Sequence, residues 1–170
     1  MRRSAAAVGS SVFMAVAPGT VAVLGPWLLT GWSGTGWWPP ARVIGGALIL
    51  VGGLVLVQAF TRFVVEGLGT PAPVAPTEHL VVGGLYRYVR NPMYLAVVAT
   101  ILGQALVFGR LVLVVYAIVV AAAMWAFATW YEEPALVRQF GAEYERYKSA
   151  VPGWWPRLRP WTPAGPRQAR

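Results

Sequence analysis

The chain has 170 residues, of which 57% are hydrophobic and only 12% charged, with a mean hydropathy of +0.56. An ordinary soluble domain carries about 25% charged residues, and a disordered chain needs low hydrophobicity, so both are excluded. The absence of cysteine removes disulfides, thiolate catalysis and cysteine-ligated metals, and the single histidine, His79, cannot build a multi-histidine metal site.

Four uncharged stretches are long enough for a membrane helix, which needs roughly 20 residues. They lie within Ala5 to Thr30, Val43 to Thr61, Pro92 to Gly109 and Leu111 to Tyr131. Arg2-Arg3 before an apolar run also fits a cleavable signal, but the run is too long and lacks a clear small-x-small site before a polar mature sequence, so it reads as an anchor. Pro18 and Pro26 interrupt this first span, which a membrane helix tolerates when neighbouring helices satisfy the freed carbonyls. Trp32, Trp37 and Trp38 follow as interface anchors.

In the second span Gly45/Gly46 and Gly52/Gly53 recur at heptad spacing, a pattern that lets helices approach closely. The connector from Glu66 to Val82 is held extended by Pro71, Pro73 and Pro76. Only Gly109-Arg110 separates the third and fourth spans, so they form a tight antiparallel hairpin that brings Arg90 and Glu132 to one end. Leu136, Phe140, Tyr144 and Tyr147 then make the apolar stripe of a short amphipathic helix in the membrane interface. The tail with Trp154, Trp155 and Trp161 lies along the headgroups or folds back over the site. The expected fold is an all-α integral membrane protein of about four transmembrane helices plus a C-terminal interfacial amphipathic helix. Residues 1–65 form a two-span scaffold and residues 66–170 the functional core of one folded unit.

With the N-terminus cytoplasmic, twelve of the fourteen basic residues fall inside and only Arg42 and Arg110 outside, so the positive-inside rule puts both termini in the cytoplasm of a cell inner membrane. All six acids share that side. The net charge of +8 then reflects anionic headgroups rather than nucleic acid.

Two polar clusters meet at the cytoplasmic mouth of the hairpin. In Gly83 to Tyr94, Arg87 and Arg90 share a face if the segment is helical, and Asn91 caps a helix whose first turn holds Pro92. The second cluster, Glu132-Glu133, needs a cationic partner beside a membrane: Arg90 or a ligand. A ligand bearing an ammonium, a carboxylate and a sulfonium, such as S-adenosylmethionine, would satisfy both clusters, with tyrosines facing the cation. An Arg–Glu brace closing the hairpin is the simpler structural alternative.

The words LVVGGLYRYVRNPMYLA and EEPALVRQFGAEYERYKSAVPGWWP resemble the isoprenylcysteine carboxyl methyltransferase and phospholipid methyltransferase superfamily, over Thr77 to Pro156. The pattern there is G-x-Y-R-x-x-R-H-P-x-Y-x-G, then E-E-x-x-L-x-x-x-F-G-x-E-Y-x-x-Y and V-P-x-W-x-P. The resemblance implies a membrane methyltransferase with S-adenosylmethionine at the cytoplasmic end of the last helices. It assigns cofactor contacts to Leu80, Val81, Tyr86, Arg90, Asn91, Pro92, Tyr94 and Glu132, with His79 one position from where members often place a histidine. Arg90 and Glu133 become the catalytic pair; Arg138, one turn past the acids, either orients an anionic acceptor or is solvated or bound to headgroups. Asn91 stands where the family has His and Ala96 where it often has Gly, so no proton relay titrating near neutrality runs through residue 91.

Methyl transfer requires alignment and water exclusion more than a base, and no strong base is evident, which favours a carboxylate or thiol acceptor, lipophilic or small. Two other readings stand beside it. A membrane reductase using NADPH shares part of the pattern, although such proteins are much longer. A non-enzymatic structural or transport protein would use the polar cluster only as a brace.

Overall fold

The computed structural model describes residues 12, 16–34, 36–62, 65 and 79–162. The proline-rich part of the connector, including Pro71, Pro73 and Pro76, and the Arg2-Arg3 start lie outside the described residues. Helix α1 spans Val16–Thr30, α2 Pro39–Arg62, α3 Pro92–Phe108 and α4 Leu111–Phe127. A 3-10 turn at Gly84–Arg87 precedes α3. Beyond α4, a π turn at Ala128–Glu132 leads into α5, Glu133–Phe140, and α6 covers Ala142–Ala150. No strand occurs among the described residues.

Two helices are long and apolar enough to cross a membrane: Pro39–Arg62, with mean hydropathy 2.3, and the continuous Leu111–Phe140 rod of 30 residues, with 2.6. Only 22% of either apolar window is buried, so both turn most of their apolar surface outward, unlike the core helix of a soluble protein. The other two stretches form shorter apolar helices, Val16–Thr30 and Pro92–Phe108. The whole is consistent with a membrane protein.

In an apolar solvent helices gain little from excluding water, so close packing and polar bonds must hold them together. Both operate here. Helices α2 and α3 pack most extensively, through Gly45 against Gly103 and Gly52 against Ala96 and Thr100. A Cβ on Gly45 would sit 2.6 Å from the Gly103 carbonyl oxygen, whereas Gly46 and Gly53 face open space. Half of the glycine pattern therefore serves the interface. Ala22, Val97, Ile101, Ala105, Leu113, Ala117 and Val120 fill the core between α1, α3 and α4.

The polar bonds repair α1. Pro26 has no N–H, so the helical acceptors upstream of it lose a donor. The side-chain amide of Gln104 on α3 donates to Ala22 O at 2.6 Å, and the Tyr116 hydroxyl on α4 donates to Val21 O at 2.9 Å. The π turn Thr20–Leu24 sits at this repair, and Gly25 leaves room for the Tyr116 hydroxyl.

Gly109, with φ +67°, closes α3 and turns the chain into α4. Arg110 at this turn donates to Ser33 O, and Arg42 lies beside Gly36 close to Val107. Arg42 and Arg110 thus share the hairpin end, and Arg90 lies at the other with Glu133.

One expectation is corrected. The C-terminal amphipathic segment is two helices, broken at Gly141 (φ +50°, ψ −127°), and the first continues from α4 without a break. Its stripe does not face lipid: Tyr144 and Tyr147 are buried with Val151, against Leu80, Val82, Leu136, Phe140 and Trp161. At 1.5 Å per residue the 30-residue rod is about 45 Å long, more than a hydrocarbon core of about 30 Å. Its last third, with Glu132 and Glu133, has length to stand clear of the hydrocarbon.

Candidate functional site

The end of α4 and the start of α3 are joined by two polar pairs. Arg90 Nη1 donates to Glu133 Oε1 at 2.7 Å, and the Tyr94 hydroxyl donates to Glu132 Oε2 at 2.8 Å. The sequence placed Arg90 and the acidic pair at one end and left open which carboxylate meets the arginine; the ion pair falls on Glu133, and Tyr94 takes Glu132. Lys148 on α6 closes on the second oxygen of Glu133, so this carboxylate is held between two cations.

Arg90 is the junction of the site. Its Nη1 also donates to the Tyr144 hydroxyl at 2.9 Å and its Nε to Val151 O at 3.0 Å. Its backbone N–H donates to Pro152 O, and that of Asn91 to Gly153 O. Nη2 alone keeps no acceptor among the described residues. Arg87 points elsewhere, donating to Trp161 O and Thr162 Oγ1, so the expected shared face of the two arginines is not formed. The 3-10 turn Gly84–Arg87 and its irregular exit separate them.

The tail folds back over the site. Arg157 N donates to Tyr88 O, Trp161 N donates to Arg87 O, and Trp154 stacks on Tyr94 at 6.0 Å between centroids. A Cβ on Gly153 would lie 3.1 Å from Arg90 Nη2, so the tail presses directly on the guanidinium. Burial pushes the Tyr144 phenol up to about 12, with Arg90 pulling the other way, and burial raises Tyr147 as well. Both remain neutral: the Tyr144 hydroxyl accepts from Arg90, and the Tyr147 hydroxyl donates to Tyr86 O at 2.6 Å.

Beneath this lattice is a cavity of about 270 Å³. Tyr86, Arg90, Asn91, Pro92, Tyr94 and Glu132 line it, six of the residues expected from sequence. Its other walls are apolar: Ala17, Pro18 and Val21 from α1, Phe60 from α2, Met93 and Val97 from α3, Met124 and Phe127 from α4. Asn91 takes the N-cap position before Pro92 but makes no capping bond. Its side-chain nitrogen is buried with no hydrogen-bond partner, a donor left over beside the cavity.

The remaining expected residues stand back from the cavity. Val81 packs with Ala59 and Tyr86, and Leu80 packs on the Tyr144–Tyr147 cluster, so both support the walls. Glu133 pairs with Arg90 and does not line the cavity. His79 and Arg138 are exposed and do not line the cavity. Sequence reasoning missed Phe60, Met124, Phe127 and the α1 wall, since apolar residues on apolar helices carry no local signal. It also missed Lys148 and Tyr144 as partners of the Arg90–Glu133 pair, although both lie in the quoted motif. Among the described residues no group of three His, Cys, Asp or Glu is placed to hold a metal.

A family model described as phospholipid methyltransferase matches residues 40–143. The chain belongs to the phospholipid methyltransferase family. The match starts at the head of α2 and ends in α6, so the family region includes a helix that sequence assigned to scaffold and stops short of the VPGWWP tail. No curated protein and no solved structure matches the chain. Membership in the phospholipid methyltransferase family, part of the superfamily whose motifs the sequence resembles, makes the chain a membrane methyltransferase.

Proposed function

We propose that the protein transfers a methyl group from S-adenosylmethionine to a lipophilic or small acceptor at the cytoplasmic face of the inner membrane, with both termini on that side. The observation that carries this reading is the cavity itself, where one carboxylate, one arginine with a spare Nη2 and one unpartnered amide nitrogen meet tyrosine rings. A buried donor without a partner costs about 1–3 kcal/mol, so a bound group that accepts its hydrogen bond offsets a penalty already present.

The residues fit the cofactor's groups. Glu132 has one oxygen bonded to Tyr94 and another available for an ammonium, while Arg90 Nη2 and Asn91 Nδ2 are donors for a carboxylate or hydroxyl. Tyr86 and Tyr94 provide electron-rich faces for a cation. The cofactor supplies an electrophilic methyl carbon. The chain's part is alignment and exclusion of water: the tail, clamped by Arg90 and Trp154, covers the polar end, and Phe60, Met124 and Phe127 keep the other end dry. Ligand sites commonly run from about 300 Å³ upward, so this cavity accepts reacting ends rather than two whole molecules. Since no side chain at the cavity is a strong base, an acceptor that is already nucleophilic, a carboxylate or thiolate, suits it best. Arg138, exposed on α5, would meet the anionic part of such an acceptor outside the cavity.

Calorimetric titration of the purified protein in lipid nanodiscs with S-adenosylhomocysteine tests the reading. Binding is expected, and Glu132→Gln or Arg90→Ala should abolish it. An absence of binding in every detergent and lipid would overturn it, and competition by NADPH would favour a reductase.

A further inference from the structure

Lys148 does not line the cavity, yet its Nζ closes on Glu133 Oε2 while Arg90 Nη1 holds Oε1. One carboxylate is thus shared by two cations from different elements, Arg90 just ahead of α3 and Lys148 on α6. The fold has little need of the lysine. Its side chain is 43% exposed, and ion pairs so open to water contribute little to stability. Helix α6 is already fixed by the buried Tyr144, Tyr147 and Val151, by the bond from Arg90 to the Tyr144 hydroxyl and by that from Tyr147 to Tyr86 O.

The lysine instead changes what Arg90 can offer. A carboxylate beside a guanidinium favours a bidentate pair, with both oxygens on two nitrogens. Here Glu133 meets Arg90 through one oxygen, because Lys148 takes the other, and Nη2 keeps no acceptor among the described residues. The charge follows the same logic. Arg90 and Glu133 alone cancel, whereas with Lys148 the three groups carry one positive charge in excess, and of the three it is Arg90 that lines the cavity. We infer that Lys148 is a positioning residue for the cofactor's carboxylate: by sharing Glu133 it keeps Arg90 Nη2 free and Arg90 cationic toward the cavity. This deepens the cofactor reading and rests on it.

Calorimetric titration of the full chain in lipid nanodiscs with two probes separates this role from a brace. One probe is S-adenosylhomocysteine; the other is its decarboxylated analogue, which keeps the adenosine, the thioether and the amine, with its affinity read by displacement. Lys148→Met should weaken S-adenosylhomocysteine about fivefold, the upper end of what one half-exposed charge contributes. It should leave the analogue's affinity unchanged. Lys148→Arg, which keeps the charge, should restore most of the loss. Arg146→Met removes an equal charge from the same helix, where Nε donates to Ala142 O, and should affect neither probe. Thermal unfolding of the ligand-free protein should be the same for Lys148→Met as for the unsubstituted chain. Equal weakening of both probes, full affinity for S-adenosylhomocysteine in Lys148→Met, no recovery in Lys148→Arg, or an equal loss in Arg146→Met would each overturn the inference while leaving the cofactor reading in place. Binding of neither probe by the unsubstituted protein would overturn the cofactor reading and this inference with it.

Discussion

The side-chain amide of Gln104 donates to the carbonyl of Ala22, 82 residues away, and so replaces the helical donor that Pro26 cannot supply. A proline in one helix and a glutamine in another are thus a single unit of stability. Gln104→Leu leaves that buried acceptor bare and should cost about 1–2 kcal/mol in detergent unfolding. Pro26→Ala restores the N–H, so the double variant should lose less than Gln104→Leu alone. Strictly additive losses would dissolve the coupling.

Arg90→Lys is expected to fail where a charge alone would suffice. Lysine cannot reach Glu133, Tyr144 and Val151 O together from one planar fork. Removing one partner of a buried pair costs on the order of 3 kcal/mol, and here the side chains are only 12% and 15% exposed. Limited proteolysis should show residues 151–162 cut faster in Arg90→Lys and in Glu133→Gln, while the membrane helices stay protected. Unchanged cutting would remove Arg90 as the tail's anchor.

Asn91→Leu separates binding from stability. Leucine deletes a buried donor that has no partner, so unfolding in the absence of ligand should be unchanged or stabilised by up to about 1 kcal/mol. Affinity for S-adenosylhomocysteine should nevertheless fall at least about tenfold, roughly 1.4 kcal/mol. Equal losses of both would mean that Asn91 is purely structural.

The buried phenols set the alkaline limit of the C-terminal lattice. Tyr144 ionises in the fold only near 12, above the ordinary value of about 10 for an unfolded tyrosine. The folded state therefore holds its proton longer, and the stability this contributes is complete below about pH 10 and lost as pH rises through 12. Absorbance at 295 nm followed with circular dichroism should show these phenols ionising together with loss of structure. Tyr144→Phe should move that transition to higher pH.

Much of this arrangement was legible in the sequence because charges are scarce and prolines and glycines are placed where only few geometries work. Gly109-Arg110 between two apolar runs left no choice but a tight hairpin, and that put Arg90 and the acidic pair at one end. Gly45 and Gly52 announced a close helix contact, but not that α3 makes it. The finer pairing was not legible, since Glu132 and Glu133 are adjacent and nothing local says which meets Tyr94. The apolar stripe from Leu136 to Tyr147 was read as lipid-facing because burial in protein and burial in lipid select the same residues. Gln104 was passed over for a related reason: its partner is a backbone oxygen exposed only by a proline 78 positions earlier.

The tail clamp also orders events in time. Val151 follows Arg90 by 61 residues, so translation delivers the hairpin before the segment that closes the site. A nascent chain can hold its helices in the bilayer while the cavity still gapes at its polar end, unable to exclude water. Competence is then conferred in one late step, when Pro152 and Gly153 dock on Arg90 and Asn91. A chain broken near Gly141 would be inserted, folded in its helices and inert.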